Sequence, residues 1–228
     1  MSPRPRREER HPDLQTAIKE TAWKQIAEFG APSIGLRSIA RELNITAPSI
    51  YNYYPSRDDL VTALIVDAYN SLADAQEACV ENLPADDLSG RLSTLGIAYR
   101  QWAVTYPQRY QLIFGTPIPH YHAPEELTLP AARRALVPLI KAIQDLSFAG
   151  KLRTERLASI SPKLKSMLEA WQEFVDSADL EVLYLALIIW SRVHGLIILE
   201  IGHQFPSFIV EPAELFQREI NNILKQYI

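Results

Sequence analysis

The sequence is poor in cysteine, methionine and glycine, and these shortages exclude several kinds of protein. Cys79 is the single cysteine among 228 residues, so the chain has no internal disulfide framework and suits a reducing cytosol. The eight glycines are scattered and form no phosphate-binding loop, and the sequence contains neither a nucleophile elbow nor a carboxylate pair on a defined scaffold. We therefore expect neither an enzyme nor a bound cofactor.

The N-terminus lacks the apolar core of a secretory signal. Its first residues, MSPRPRREERHP, predict a disordered basic arm over 1–12. Residues 1–57 contain nine Lys/Arg and six Asp/Glu, whereas residues 58–228 contain 14 and 21. The basic excess of a chain with net charge −4 thus collects at its N-terminal end, which is typical of a nucleic-acid-binding head on an acidic body.

The stretch 36–57 predicts two short helices joined by a tight turn. Apolar residues spaced i, i+3, i+4 and i+7 over 36–43 give the first helix one apolar face. Asn44 tolerates the left-handed conformation of the turn, and Thr46 is the expected N-cap of a second helix over 47–54. Hydroxyl, amide and phenol groups remain on its outer face, where they suit phosphates and base edges. An ordinary helical hairpin with polar caps fits the same spacing.

Residues 13–64, about a quarter of the chain, resemble the DNA-binding domain of the tetracycline-repressor (TetR) family. The matching residues are Phe29-Gly30, Leu36-Arg37-Ser38-Ile39-Ala40-Arg41-Glu42-Leu43, Ile45-Thr46-Ala47-Pro48-Ser49-Ile50-Tyr51-Asn52-Tyr53-Tyr54, Arg57 and Leu60. Gly35, Asn44 and Arg57 depart from the family's usual Thr or Ser, Gly and Lys. Glycine can still cap a helix and asparagine can still reach positive φ, so the departures leave the fold intact.

The resemblance implies how this domain contacts double-stranded DNA. Four residues are expected to position the protein on phosphates: Arg37, Thr46, Tyr51 and Arg57. Four others are expected to face the bases: Ala47, Ser49, Asn52 and Tyr53. Two recognition helices reach successive major-groove faces when they lie about 34–36 Å apart or a multiple of that, which implies a dimer on a pseudo-palindromic operator.

The whole chain predicts an all-α fold. A helix over 13–29 completes a three-helix DNA-binding domain at 13–56, and its predicted apolar face consists of Leu14, Ile18, Ala22, Ile26 and Phe29. Ser56 with Asp59 predicts the capping box of a connecting helix within 57–84. The larger helical body, 85–228, is expected to bind ligand and to dimerise. Its first predicted helices cover 88–105, 107–114, 131–147 and 162–175, and Ser161 is the expected N-cap of the last of these. Four prolines over 116–130 predict a long loop, and Pro138 should bend the helix that follows.

Residues 179–203 form the most apolar segment of the chain. A transmembrane span is the alternative, but Arg192, His194 and Glu200 interrupt the run, so we expect no membrane. A helix that is apolar on nearly all faces must be covered on both sides. The final helix, over 213–227, covers one side, and the same two helices of a second subunit are expected to cover the other and form a homodimer.

An effector pocket would lie between helices of the body. Its candidate lining residues are Trp102, Tyr106, Tyr110, Phe114, Met167, Trp171, Trp190 and His194. Any one of them could instead be an ordinary core residue. The segment 190–195, with Trp, His and Gly, resembles the Trp-His-Gly (WHG) branch of the family's C-terminal domains. His120 and His122 lie in a proline-rich segment without the spacing of a zinc site, so no metal is expected.

Together these features predict a cytoplasmic, dimeric transcriptional regulator. A small apolar or aromatic effector would favour a state in which the two recognition helices are wrongly spaced, which lowers DNA affinity. Repression follows from the family resemblance alone. The alternatives are a helical enzyme or small-molecule-binding protein with an incidental helix–turn–helix, and an interaction adaptor without a ligand.

Overall fold

The computed structural model describes residues 11–153, 155, 159–175 and 178–228. The predicted basic arm lies outside these residues, except for positions 11 and 12, which begin the first helix. Ten α-helices form within the described residues, which confirms the all-α prediction. They are α1 His11–Phe29, α2 Leu36–Glu42, α3 Ala47–Tyr51, α4 Arg57–Val80, α5 Leu88–Thr105, α6 Pro107–Phe114, α7 Glu125–Phe148, α8 Pro162–Phe174, α9 Leu180–Ile201 and α10 Pro212–Tyr227, with a 3-10 turn at Ala31–Ser33 between α1 and α2.

The described chain divides into two compact units. The head unit comprises the residues up to Ala68 together with Gln108–Leu129, and the body unit comprises Tyr69–Pro107 and Pro130–Ile228. The division falls inside α4, after the first residue of α6 and inside α7. Helices α4 and α7 each begin in the head unit and end in the body unit.

Side-chain hydrogen bonds and buried apolar residues hold α2 against α1 in the head unit. Ile18 and Ala22 of α1 are fully buried. Ser38 of α2 donates to the side-chain oxygen of Gln25 at 2.9 Å, and the Gln25 amide donates to Glu42 at 2.9 Å. Phe29, assigned by its spacing to the same apolar face, is instead 63% exposed, because it is the last residue of α1 and nothing packs over it.

Three predicted helix boundaries follow their expected local chemistry. Asn44 has a φ of +53°, as the turn requires. Ser56 and Asp59 form a reciprocal capping box, in which the Ser56 N–H donates to the Asp59 carboxylate at 2.8 Å and the Asp59 N–H to the Ser56 hydroxyl at 3.2 Å. Ser161 accepts from the N–H of Leu164 at 3.3 Å and caps α8.

The second helix of the helix–turn–helix is shorter than predicted. It covers Ala47–Tyr51 and not 47–54. The N–H groups of both Tyr53 and Tyr54 donate to the carbonyl of Ile50, which closes the helix in a tight turn. Pro55 disfavours the α conformation at the residue before it, so the chain leaves the helix ahead of the proline. Asn52 and Tyr53 therefore lie in a turn and not on a helix.

The loop predicted over 116–130 is wrong in its second half, because α7 begins at Glu125 and contains both Pro130 and Pro138. The two acidic residues of its first turn favour a helix N-terminus. Pro130 removes one helical hydrogen bond, but the helix that continues through it buries Ala131, Ala135 and Ile143. Burial of that face outweighs the proline.

Three helices of the body unit, α5, α8 and α10, pack around α9. Val182, Leu183 and Ile197 of α9 are fully buried. Gly96 of α5 lets α10 approach closely, because a Cβ at this position would lie 2.5 Å from the terminal methyl group of Ile220. A larger residue at position 96 would require the Ile220 side chain to move away.

Helix α9 is long and apolar enough to cross a membrane by length and composition, a test that core helices of globular proteins also pass. Two of its three charged residues, Arg192 and Glu200, are paired with neighbouring helices. Arg192 donates to Glu219 of α10 at 2.6 Å, and Glu200 accepts from Arg100 of α5 at 2.8 Å. Charges that are satisfied by packed neighbours are typical of the core of a helical bundle.

Candidate functional site

The helix–turn–helix has an inner and an outer face. Ile39 of α2, Ile50 of α3 and Tyr54 of the following turn are buried, with exposures of 0%, 0% and 4%. These three residues fix α3 against α2, and Tyr54 also accepts a long hydrogen bond from Gln15 of α1 at 3.5 Å. The remaining side chains of α3 and of its flanking turns are therefore directed away from the core of the head unit.

The eight residues predicted to contact DNA are arranged along this outer face and its borders. Four are exposed: Arg37, Thr46, Tyr51 and Asn52. Four are half-buried: Ala47, Ser49, Tyr53 and Arg57. None of the eight is fully buried, and all lie between the first turn of α2 and the first residue of α4.

Thr46 occupies the predicted N-cap position of α3, but its side chain makes no capping bond to the backbone. Its hydroxyl instead lies 2.8 Å from the hydroxyl of Ser49. One of the two must donate to the other, and the acceptor keeps its own O–H for an outside partner. A hydroxyl pair at a helix N-terminus can thus donate a hydrogen bond to a phosphate.

Arg57 begins α4 directly after the recognition turn. Its Nε is buried and has no hydrogen-bond partner among the described residues. A guanidinium is always charged and has five donors, so an acceptor outside the chain can be bound through its remaining N–H groups. This position next to the turn suits contact with a phosphate.

The eight residues predicted to line an effector pocket are divided between the two units. Tyr110 and Phe114 of α6 lie in the head unit, with ring centroids 5.1 Å apart. Six lie in the body unit: Trp102, Tyr106, Met167, Trp171, Trp190 and His194. Met167 of α8 is 60% exposed, whereas Trp102 is 3% exposed and donates its indole N–H to Ser71 at 3.0 Å.

Trp190 and His194 are one turn apart on α9, with ring centroids separated by 4.8 Å. The Nδ1 of His194 lies 3.0 Å from the hydroxyl of Tyr99 on α5. Burial lowers the pKa of His194 below its usual value, because it disfavours the charged imidazolium. His194 is therefore a neutral residue that joins α9 to α5 at physiological pH.

The body unit contains a cavity of about 450 Å³ that sequence reasoning did not locate. Its lining residues are Glu77, Val80, Arg91, Leu95, Pro130, Arg133, Arg134, Val137, Pro138, Lys141, Ala142 and Asp145. None of these is among the predicted pocket residues. Trp190 instead borders a much smaller cavity of about 40 Å³. The available signal was the sequence of α7, in which positions 130, 133, 134, 137, 138, 141, 142 and 145 recur at helical spacing.

Two family models match the chain. Residues 18–64 match the model for bacterial regulatory proteins of the tetR family, and residues 92–223 match the model for the tetracyclin repressor-like C-terminal domain. These matches confirm the family resemblance seen in the helix–turn–helix.

Relatives and solved structures agree with the family models. The chain is 32% identical over 215 residues to the HTH-type transcriptional regulator Rv1816 of Mycobacterium tuberculosis, which covers 94% of this chain and 92% of the relative. It is similar to the crystal structure of the regulatory protein SCO4313, with a TM-score of 0.78, 34% identity and coverage of 98% and 100%. RolR, crystallised in complex with resorcinol, shares the fold at a TM-score of 0.54 and 16% identity, with coverage of 97% and 90%.

The C-terminal model spans more than half of the residues, and relatives above 30% identity extend along nearly the whole sequence. The chain therefore belongs to the TetR family of helix–turn–helix transcriptional regulators, a family of DNA-binding proteins and not of enzymes.

Proposed function

We propose that this regulator binds a pseudo-palindromic operator as a homodimer and is released from it by a small-molecule effector. The observation that carries the proposal is the outer face of the helix–turn–helix. There Thr46, Tyr51 and Asn52 stay exposed, while Ile50 and Tyr54 anchor the same short segment to the core. Groups that donate to phosphates and base edges are thus available to a major groove.

The proposed DNA contacts are of two kinds: contacts to phosphates position the protein, and contacts to base edges read the sequence. Arg37, Thr46, Tyr51 and Arg57 bind phosphates and fix the register of the protein on the duplex. Ala47, Ser49, Asn52 and Tyr53 face base edges. An asparagine that reads adenine through two hydrogen bonds, together with an alanine methyl group against thymine, can discriminate between sequences.

Dimerisation through α9 and α10 is supported by the side of α9 that its own chain leaves open. Leu187, Ile198 and Leu199 are 36–38% exposed although they are large and apolar. Gly195 lies on the same helix, and a Cβ built there would meet nothing within 4 Å. An apolar helix face with a small residue at its centre lets a second copy approach closely, which is the self-complementary geometry of a two-fold dimer.

The effector is proposed to be a small apolar or aromatic molecule bound by the body unit. Helix α4 supports a mechanism, since it begins at Arg57 beside the recognition turn and ends at Val80 on the body cavity. A ligand that shifts the last turn of α4 would also shift the first turn of this helix, which belongs to the head unit, and so change the position of the helix–turn–helix. We also propose that the protein represses transcription, that it acts in the cytoplasm, and that its C-terminal domain is of the Trp-His-Gly type.

The proposal is tested by selecting genomic fragments that the purified chain binds, and then screening compounds that release the bound fragment. We expect one family of inverted repeats bound with a Kd in the nanomolar range, about 10⁻⁸ M or tighter at physiological salt. Resorcinol, the ligand of RolR, is one aromatic compound for the first release screen. Recovery of fragments without a shared repeat would contradict sequence-specific binding, and a helical protein with an incidental helix–turn–helix would behave in that way.

A further inference from the structure

The body cavity of about 450 Å³ has the size of a small-molecule site. Three helices form it: the last turn of α4, the first turns of α5 and one face of α7 that extends from Pro130 to Asp145. Six of its twelve lining residues are apolar: Val80, Leu95, Pro130, Val137, Pro138 and Ala142. The walls thus suit a hydrocarbon or aromatic body.

The lining of this cavity contains more cationic than anionic residues. Four are cationic, namely Arg91, Arg133, Arg134 and Lys141, and two are anionic, namely Glu77 and Asp145. An apolar ligand needs no charge, and a cationic ligand would be repelled by this excess. A cavity with apolar walls and surplus positive charge favours an anion that has an apolar body.

Two of the four cations are already bound to carboxylates of the body unit. Arg134 donates to Asp74 at 2.6 Å and to Glu77 at 3.0 Å, which holds α7 against α4. Lys141 donates to Asp145 one turn further along α7 at 3.1 Å. Both carboxylates of the lining, Glu77 and Asp145, are therefore already bound to cations of the lining.

Arg91 lies in a different environment. Its guanidinium donates only to the backbone carbonyls of Pro84 and Leu83, at 3.3 and 3.4 Å, and no carboxylate bonds to it among the described residues. Hydrogen bonds of this length are weak, and a guanidinium binds a carboxylate through two parallel bonds that are shorter and stronger. Arg91 therefore gains more from an anionic ligand than Arg134 and Lys141 do, because those two already bind carboxylates.

We propose that the cavity binds an amphipathic carboxylate, an organic monoanion with an acyl chain or an aromatic body, and that Arg91 binds its carboxylate group. The inference rests on the proposed function, because it assigns a chemical class to the effector. It adds a negative charge to the expected apolar or aromatic effector, and it places the ligand in a cavity that the predicted aromatic residues do not line. Helix α4 connects the site to the head, since Glu77 and Val80 belong to its last turn.

The test compares decanoate with 1-decanol, which has the same chain without the charge, by titration calorimetry on the full chain at concentrations below micelle formation. We expect decanoate to bind at least about tenfold more tightly than 1-decanol, the difference that one charge-assisted pair supplies. R91Q should remove this preference by weakening decanoate about tenfold and leaving 1-decanol unchanged. K163Q, which removes an exposed cation of α8 outside the cavity, is the matched control and should bind both probes as the unaltered chain does.

A second variant locates the site without depending on charge. Val80→Trp places an indole in the cavity from the end of α4, where the side chain is half-buried, and it should weaken both probes if the fold survives, which circular dichroism checks. Equal affinity for decanoate and 1-decanol, the absence of decanoate binding, or undiminished binding to R91Q would each overturn the carboxylate assignment. DNA binding is measured separately without either probe, so a failure of operator recognition is distinguishable from a failure of this cavity.

Discussion

The outer face of the helix–turn–helix and the interior of the body unit use their polar side chains in opposite ways. In the head unit, Thr46, Tyr51 and Asn52 remain exposed on a helix of five residues and the turn after it. In the body unit, polar groups join helices to each other: Tyr99 contacts His194, and Arg192 binds Glu219. The outer face of the helix–turn–helix thus leaves its polar side chains available to a partner, whereas many polar side chains of the body unit hold its helices together.

This contrast indicates which residues of the body are available for a ligand. Polar groups such as Tyr99, Trp102 and His194 already have partners within the unit. In the cavity lined by α4, α5 and α7, Arg134 and Lys141 bind carboxylates, whereas Arg91 donates to backbone carbonyls and to no carboxylate of the described residues. The same distinction between satisfied and unsatisfied groups therefore separates structural residues from candidate binding residues in both units.

Loss of buried volume in the body should produce the largest change in stability. Ile197 of α9 is fully buried, and Ile197→Ala leaves a cavity that should lower the free energy of unfolding by about 2–5 kcal/mol. Urea denaturation measures the change. Phe148→Ala, at a residue of the same unit that is 78% exposed, should stay within about 0.5 kcal/mol. Equal effects of the two substitutions would mean that α9 is not the core of this unit.

A charge on the open side of α9 should separate assembly from folding. Gly195→Glu meets no neighbour within its own chain, so the helix should stay folded. An unpaired carboxylate at the centre of a dimer interface should weaken association about 100-fold or more. Analytical ultracentrifugation measures the dissociation constant, with Ser166→Glu on the exposed side of α8 as the control. If the Gly195 variant dimerises normally, the interface lies elsewhere.

Two substitutions in the head should distinguish reading from positioning. Asn52→Ala should weaken the preferred operator by about 1–3 kcal/mol and relax sequence preference at one position. Arg57→Ala should weaken all DNA sequences similarly and reduce the salt slope by about one. Fluorescence anisotropy over a series of operator variants and salt concentrations measures both effects. The assignment fails if both variants bind the operator like the unaltered chain.

The smallest expected effect is a pH dependence of body stability through His194. Its pKa is lowered by burial, so the unfolded chain binds this proton more readily than the folded chain does. Stability should therefore fall as the pH decreases from the unfolded pKa of about 6.5 towards the lower folded value, and it should be unaffected above that range. Calorimetry at pH 7.5 and 5.0 should give a decrease in Tm that is smaller in His194→Gln than in the unaltered chain. An identical decrease in both proteins would show that other groups are responsible.

Sequence patterns predicted the elements in which local chemistry decides the structure. The turn at Asn44, the capping box of Ser56 and Asp59, and the N-cap at Ser161 each depend on residues within three positions of one another. Such short-range preferences are contained in the sequence itself. The start of α7 was missed for the opposite reason: Pro130 is locally unfavourable in a helix, and burial of a face contributed by residues further along the chain overrides it.

The same reasoning explains why the sequence predicted the helix–turn–helix but not the body cavity. The helix–turn–helix follows from periodicity over 36–54 and from a family motif at adjacent positions. The cavity depends on α4, α5 and α7 meeting in space, and on which of Arg91, Arg134 and Lys141 finds a carboxylate there. The spacing within α7 shows which residues share a face, but it does not show which helices that face meets or which cations find a carboxylate. The prediction therefore selected aromatic residues and missed the cationic residues of the lining.

The central claim is that the exposed face over 46–53 binds DNA with sequence preference, and one titration tests it most directly. The fragment recovered by genomic selection and a scrambled fragment of equal length and composition are titrated with the unaltered chain between 50 and 200 mM salt. The account predicts that both complexes weaken as salt rises, and that the selected fragment binds about 10³-fold or more tightly at every salt concentration. Equal affinity for the two fragments, or affinity for the selected one that does not change with salt, would contradict it.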